Sequence, residues 1–305
     1  MQGRKLRNMP LSDRLFYVFN GLFWVIVMFI VIYPLYLVCI SSVSDPDAVA
    51  AGKVLWKPVD VSLMGYKAIF NDKQLWIGYA NSLIYTVVSV VISIFVTLCT
   101  AYVMTRKNLL GRKWINLFFV IPMFFSGGLI PTFLIMNSLG LYNTRLILII
   151  SGCLTTWNLM VTRTYIQTTI PEDMFEAAAL DGASHFQYFT KIVVPLSRTI
   201  IAVLAVYYGV AKWNNYYDGV VYIRDDAKLP LQTILSRILA SLQVNLSDEV
   251  AHAMAEEIES LEHAYRIAQA SKYCSIVVAA LPVMLLYIFL QKYFEKGIMI
   301  GSLKG

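Results

Sequence analysis

Residues 17–40 read YVFNGLFWVIVMFIVIYPLYLVCI, a stretch without a single charged side chain. As a helix rising ~1.5 Å per residue, such a run is long enough to cross the ~30 Å hydrocarbon core of a bilayer. Five further apolar blocks follow, at Asn81–Met104, Trp114–Asn137, Leu146–Ile166, Ile192–Ile223 and Tyr273–Phe294. They predict an all-α polytopic membrane protein with about six transmembrane helices. Composition agrees: 58% of the residues are hydrophobic and 14% charged, against about 25% charged in ordinary soluble domains. A large soluble helical protein is excluded on that ground. Arg4, Lys5 and Arg7 precede the first run, as in a secretory leader. The run exceeds the ~7–15 residues of a leader's apolar region and no A-x-A site follows, so it reads as a retained span.

Lysine and arginine in short loops set orientation. Arg4, Lys5, Arg7 and Arg14 precede the first span, Arg106, Lys107, Arg112 and Lys113 follow the second, and Lys292, Lys296 and Lys304 lie at the end. With six spans these three segments share one side, which places the N- and C-termini in the cytoplasm of a bacterial-type plasma membrane. The division that follows is a cytoplasmic segment 1–16, a first span with exterior loop 17–79, a core 80–296 with an exterior insertion 224–272, and a cytoplasmic tail 297–305. The net charge of +6 then reports membrane orientation and not nucleic-acid binding.

Chemistry of the chain's own is not visible. The sequence has no phosphate-cradling G-x-x-x-x-G-K-[ST], no H-E-x-x-H and no G-x-S-x-G. Cys39, Cys99, Cys153 and Cys274 lie in or at the ends of apolar runs without C-x-x-C spacing, and read as packing residues. His252, Glu256, Glu259 and His263 recur at helical spacing, but in an Ala- and Glu-rich stretch that reads as a solvated helix face. No catalytic or metal-binding residue is predicted, and no cofactor. The marks of ion-coupled transporters are not evident either: Asp218, near the outer end of the fifth span, is the main candidate for an intramembrane carboxylate, and no duplicated halves are visible. The chain reads as a conduit without an engine.

Between the fourth and fifth runs lies TTIPEDMFEAAALDGASHFQYFTKIVVP, Thr168–Pro195. Pro171 suits a first helical turn, and Glu172 and Asp173 suit its positive end. Gly182 supplies a stop with positive φ. Ser184 and Gln187 stand at capping-box spacing, predicting a second short helix over roughly 184–191. The small side chains of Ala177, Ala178, Ala179 and Ala183 permit close approach, Phe186 and Phe189 offer apolar knobs, and Glu176 and Asp181 could fix the turn or pair with a partner's cations.

EAAALDGA followed by IVVP, with Ile170-Pro171 leading in, resembles the EAA loop of ABC-importer permeases. The resemblance extends from about Gly78 to the C-terminus and is similar to the carbohydrate, maltose-transporter-like type. SVSDPDAV after the first span and WNNYYD in the fifth resemble the oligosaccharide and complex-glycan subgroup. It implies a type I importer permease fold in which loop 170–195, through Glu176, Ala177, Ala178, Asp181, Gly182, Ala183, Phe186 and Pro195, couples to separate ATPase subunits. It further implies a heterodimer with a homologous permease, two ATPases that bind the ATP and Mg, and an extracytoplasmic substrate-binding protein. Thr199, where many members carry a second proline, and Val194, where leucine is common, depart from the pattern. The tail KGIMIGSLKG resembles tails that reach into the ATPase dimer, although Gly297, Gly301 and Gly305 equally suit a frayed end.

KWNNYYDG, Lys212–Gly219, interrupts the fifth run with polar groups, which are costly against lipid. Trp213, Tyr216 and Tyr217 could stack on sugar rings and Asn214, Asn215 and Asp218 could bond hydroxyls; an interfacial aromatic belt is the competing explanation. Pro122, Gly127, Gly128 and Pro131 predict a kink in the third run, and Pro282 one in the last. A permease for a non-sugar solute, or a standalone membrane enzyme or scaffold, are the alternative functions.

Overall fold

The structure, a computed structural model, describes residues 10–125, 127–244 and 255–302. Among the described residues there are helices and no strands. In chain order they are α1 (Leu11–Ser41), α2 (Pro46–Ala50), α3 (Met64–Asn71), α4 (Lys73–Thr105), α5 (Arg112–Phe124), α6 (Leu129–Ser138), α7 (Arg145–Ile150) and α8 (Thr156–Thr169). Then come α9 (Glu172–Leu180), α10 (His185–Tyr188), a π-helical turn (Phe189–Val193), α11 (Val194–Leu196), α12 (Arg198–Trp213), α13 (Tyr217–Tyr222), α14 (Leu231–Val244) and α15 (Ala255–Ser302).

Among the described residues, three segments are long and apolar enough to cross a membrane unbroken: Leu11–Ser41, Lys73–Thr105 and Gln269–Phe289. The other three predicted runs are interrupted, each where the backbone demands it. The run 114–137 divides between α5 and α6, next to Gly128 with φ +84°, so the predicted kink is a full break. The run 146–166 divides between α7 and α8 at Gly152, φ +70°. The run 192–223 bends by 76° between Leu196 and Arg198 and stops at Trp213. Pro282 and the glycines at 297 and 301, by contrast, do not interrupt α15, which runs on to Ser302. A helical glycine costs only ~1 kcal/mol and so does not by itself end a helix.

The chain packs as two compact units. One combines residues 1–71 with 238–278. Here α1 exposes Leu22, Phe23, Trp24 and Phe29, the surface a lipid-facing helix requires. The loop after it is pinned back by Tyr33 and Tyr36, whose hydroxyls donate to Leu55 O (3.2 Å) and Trp56 O (2.5 Å). Asp45 caps α2 and, with Asp47, pairs with Arg266 at 3.2 and 3.0 Å. Gly65 lies so close to α15 that a Cβ would sit 2.5 Å from Ala270 O.

The other unit, residues 72–237 with 279–305, is built around α4. Asp72 starts this helix by accepting from the Gln74 and Leu75 amides at 2.8 and 3.3 Å. Along one face it buries Ser82, Ser89, Ser93 and Thr97, small residues that let α8 and α12 approach closely. The buried hydroxyls are used: Thr97 bonds Tyr208 Oη at 2.8 Å, and Ser89 donates to Ile149 O. The histidine and glutamate face 252–263 lies outside the residues whose side chains are described.

Candidate functional site

Segment 170–195 folds as its local signals predict up to residue 188. Pro171 stands at the N-cap of α9, and Glu172 and Asp173 fill its first turn. At the far end the amides of Asp181, Gly182 and Ala183 reach back to Ala177, Ala179 and Ala178 O at 3.1, 3.0 and 2.9 Å. Gly182 takes φ +77°, a conformation in which a Cβ is unfavourable. Ser184 then opens α10 with a capping box: its Oγ accepts from Gln187 N at 3.2 Å, and Gln187 Oε1 accepts from Ser184 N at 2.8 Å.

Beyond Tyr188 the structure departs from expectation. The predicted second helix, ending near Lys191, continues through the π turn to Leu196. Pro195 has no N–H to give the helical ladder, and the bend follows directly after it.

One face of this loop is buried and the other bare. Ala178, Tyr188, Phe189 and Val193 pack with Leu98, Ala101, Tyr102 and Met104 of α4 and with Leu159 and Ile166 of α8. Phe189, expected as an outward knob, is therefore a core residue at 9% exposure. The outward knobs are Leu180, 90% exposed, and Phe186, 74% exposed. Glu176, Ala177, Asp181, Gly182 and Pro195 are exposed and Ala183 is half-buried.

Sequence reasoning missed what fixes this loop. Arg106, the residue after α4, lays its guanidinium 4.9, 4.7 and 5.8 Å from the ring centres of Tyr102, Phe175 and Tyr188. Its Nη1 lies 3.7 Å from Glu172 Oε1, too far for a hydrogen bond, and is buried without a hydrogen-bond partner. Around it Phe175 stacks on His185 (5.0 Å) and meets Tyr188 edge-on (5.1 Å). Tyr102 Oη bonds His185 Nδ1 at 3.1 Å. Burial pushes the Tyr188 phenol above its ordinary range, and the Arg106 charge draws it partly back. In sequence Arg106 had counted only as an orientation signal, since nothing local to it points to rings some seventy residues on.

The second candidate, 212–219, is the break between α12 and α13. Lys212 Nζ donates to Ser151 O at 2.7 Å. Trp213 is buried at 4% exposure, donates Nε1–H to Ala279 O at 2.9 Å and meets Tyr79 edge-on. Its expected role as a sugar platform is revised accordingly: neither its face nor its N–H is on offer. Asn215 and Asp218 satisfy each other, Nδ2 to Oδ2 at 2.6 Å and Asp218 N to Asn215 Oδ1 at 3.2 Å. Asn214, Tyr216 and Tyr217 remain exposed. Ser82, Tyr85, Leu148, Lys212, Asn215 and Pro230 line a cavity of about 10 Å³, room for roughly one water and not for a sugar. Among the described residues, no group of three or more His, Cys, Asp or Glu gathers where a metal could bind.

A helical membrane unit with a Glu-Ala-Ala loop packed against α4 and α8 fits the class of transport permeases. Residues 93–300 match the family of binding-protein-dependent transport system inner membrane components, and the chain belongs to that family. It is a multi-pass component of the bacterial inner membrane. It is 33% identical, over 97% of its length and all of the relative's, to the polygalacturonan/rhamnogalacturonan transport system permease protein YtcP of Bacillus subtilis. It is 28% identical, over 98% of its length and 99% of the relative's, to the maltodextrin transport system permease protein MalD of Streptococcus pneumoniae. Among solved structures it matches, with TM-score 0.82 and 30% identity, a chain of a bacterial ABC transporter involved in the import of the acidic polysaccharide alginate; the match covers 94% of this chain and 99% of that one.

Proposed function

We propose that this chain is the permease subunit of an ATP-driven importer of oligosaccharides or complex glycans, coupled to its ATPases through the loop 170–195. The observation that carries the coupling is the division of that loop into a buried face, held by α4 and α8, and a bare face bearing Leu180 and Phe186. Apolar residues so exposed beside small alanines suit a groove on a second protein. The carbohydrate relatives support the substrate class. In this reading the chain crosses the membrane about six times, with both termini cytoplasmic and the interrupted runs counted as spans. It pairs with a homologous permease, sits on two ATPases that bind ATP and Mg, and receives solute from an extracytoplasmic binding protein. It catalyses no covalent chemistry. Glu176, Ala177, Ala178, Asp181, Gly182, Ala183, Phe186 and Pro195 belong to the coupling element. Solute meets Asn214, Tyr216 and Tyr217, and Asn215 and Asp218 become available only when their mutual bonds open.

The test is affinity purification in mild detergent with the co-purifying chains identified by mass spectrometry, then uptake into proteoliposomes of oligogalacturonides, alginate oligomers and maltodextrins. Recovery of an ATPase and a second permease, with uptake of at least one glycan, is expected. Recovery of this chain alone, under conditions that keep a known ABC complex intact, overturns the reading.

A further inference from the structure

We propose that Arg106 is a positioning residue that locks loop 170–195 to the end of α4, so that the two move as one body when an ATPase pulls on the loop. The inference rests on the coupling role given to the loop above but concerns a different residue, outside the loop's sequence and off its docking face.

Three observations carry it. First, Arg106 is where α4 hands its orientation to the loop: it follows the last residue of the helix, and its side chain is only 14% exposed. Second, the groups around it come from separate elements. Tyr102 belongs to α4, Glu172 and Phe175 to α9, and Tyr188 to α10. Take the guanidinium away and these rings enclose a void at the point where the elements meet. Third, the other directional tie between α4 and the loop at this point is the Tyr102–His185 hydrogen bond at 3.1 Å; beside it stand non-directional contacts, Tyr102 against Tyr188 (6.2 Å) and Phe189 (5.3 Å) and the shared apolar core. A planar cation close to rings from three separate elements resists their separation and rotation, which a lysine ammonium, compact and strongly hydrated, does less well.

The lock also explains a cost. Arg106 Nη1 is buried without a hydrogen bond, and Tyr188 Oη is buried without one as well. Buried polar atoms are normally satisfied; here geometry around the rings takes precedence over pairing.

The experiment uses the whole importer in nanodiscs, with spin labels at Val91 on α4 and Asp173 on α9, both exposed. Distance distributions are recorded with and without MgATP and vanadate, alongside ATP hydrolysis and oligogalacturonide uptake. In the parent protein the label distance is expected to stay narrow and unchanged by nucleotide. In Arg106→Ala it broadens and shifts with nucleotide, ATP hydrolysis stays within about twofold, and uptake per ATP falls by about tenfold or more. Arg106→Lys gives an intermediate ratio. A narrow, nucleotide-independent distance in Arg106→Ala overturns the proposal. So does a fall of hydrolysis and uptake in step with the amount of assembled complex. If Arg106→Ala does not assemble, Arg106→Lys decides: a parental uptake-to-hydrolysis ratio and a parental distance then make Arg106 a folding residue only. Failure of the coupling reading itself shows elsewhere: a Leu180→Glu, Phe186→Glu chain that still retains its ATPases refutes that reading whatever Arg106 does.

Discussion

The two ends of α4 are held in different ways. At its first turns the helix is anchored by directional hydrogen bonds. Asn81 Nδ2 donates to Ala227 O (2.9 Å) and Leu229 O (3.1 Å), Tyr85 Oη donates to Lys228 O (3.1 Å), and Ser82 Oγ accepts from Leu231 N (2.8 Å). At its last turns it is held by rings and one guanidinium. Hydrogen bonds weaken steeply with misalignment, whereas ring and cation–π attraction vary gently with small reorientations. The first end is built as a fixed anchor. The last is built as a locked joint: several ring and cation contacts act at once, so small reorientations of any one ring do not part α4 from the loop.

The comparison can be broken most sharply from outside. Leu180→Glu with Phe186→Glu leaves the joint untouched and is expected to abolish co-purification of the ATPases, with this chain still extracted as folded membrane protein. At the anchored end, Gly219→Ala should be the most damaging small change. A Cβ there would collide with Thr233 Oγ1 and come within 3.0 Å of the Pro230 ring, and such overpacking costs about 1–3 kcal/mol. Thermal unfolding of the purified chain would register it as a lowered midpoint.

Asn81→Ala tests the anchor itself. It strips the buried Leu229 carbonyl of its side-chain donor, a loss of about 1–3 kcal/mol, and should leave ATP hydrolysis in the assembled importer coupled to uptake. Uncoupling by this variant would mean that the two ends do not differ as described. Gly182→Val acts on the other end. No atom lies near a Cβ at that position, but φ is +77°, so only backbone strain of roughly 1–2 kcal/mol is expected. Membrane insertion should persist while substrate-stimulated ATP hydrolysis is lost.

The smallest effect concerns the loop that receives the anchor. The Lys228 ammonium and the Ala227 amide hold the Asp225 carboxyl below the ordinary carboxylate range. A depressed folded value means that this contribution is complete at neutral pH and disappears only as pH falls through that value. The protection of the Ala227 and Lys228 amides against exchange, taken relative to the intrinsic rate at each pH, should therefore change little between neutral and mildly acidic pH. Asp225→Asn should lower it already at neutral pH.

What the sequence determined by itself was whatever depends on neighbours within about four residues. Long apolar runs imply helices in a bilayer. Pro171, Gly182 and the Ser184–Gln187 pair specify the start, stop and restart of the loop, because caps and left-handed turns are local bargains of the backbone. The interruption near Gly128 was legible for the same reason. What only the tertiary structure decided was which side of each short helix is covered. Phe186 and Phe189 are three residues apart and equally apolar, yet one is bare and the other lies against Tyr102; Leu180, unremarked in sequence, is the outward knob. Trp213 looked like a ligand platform until Ala279, sixty-six positions along, accepted its N–H. Arg106 gained its place from rings at 175 and 188. Burial and partnership at these positions arise between segments distant in the chain, and no local pattern of residues encodes which distant surface will meet them.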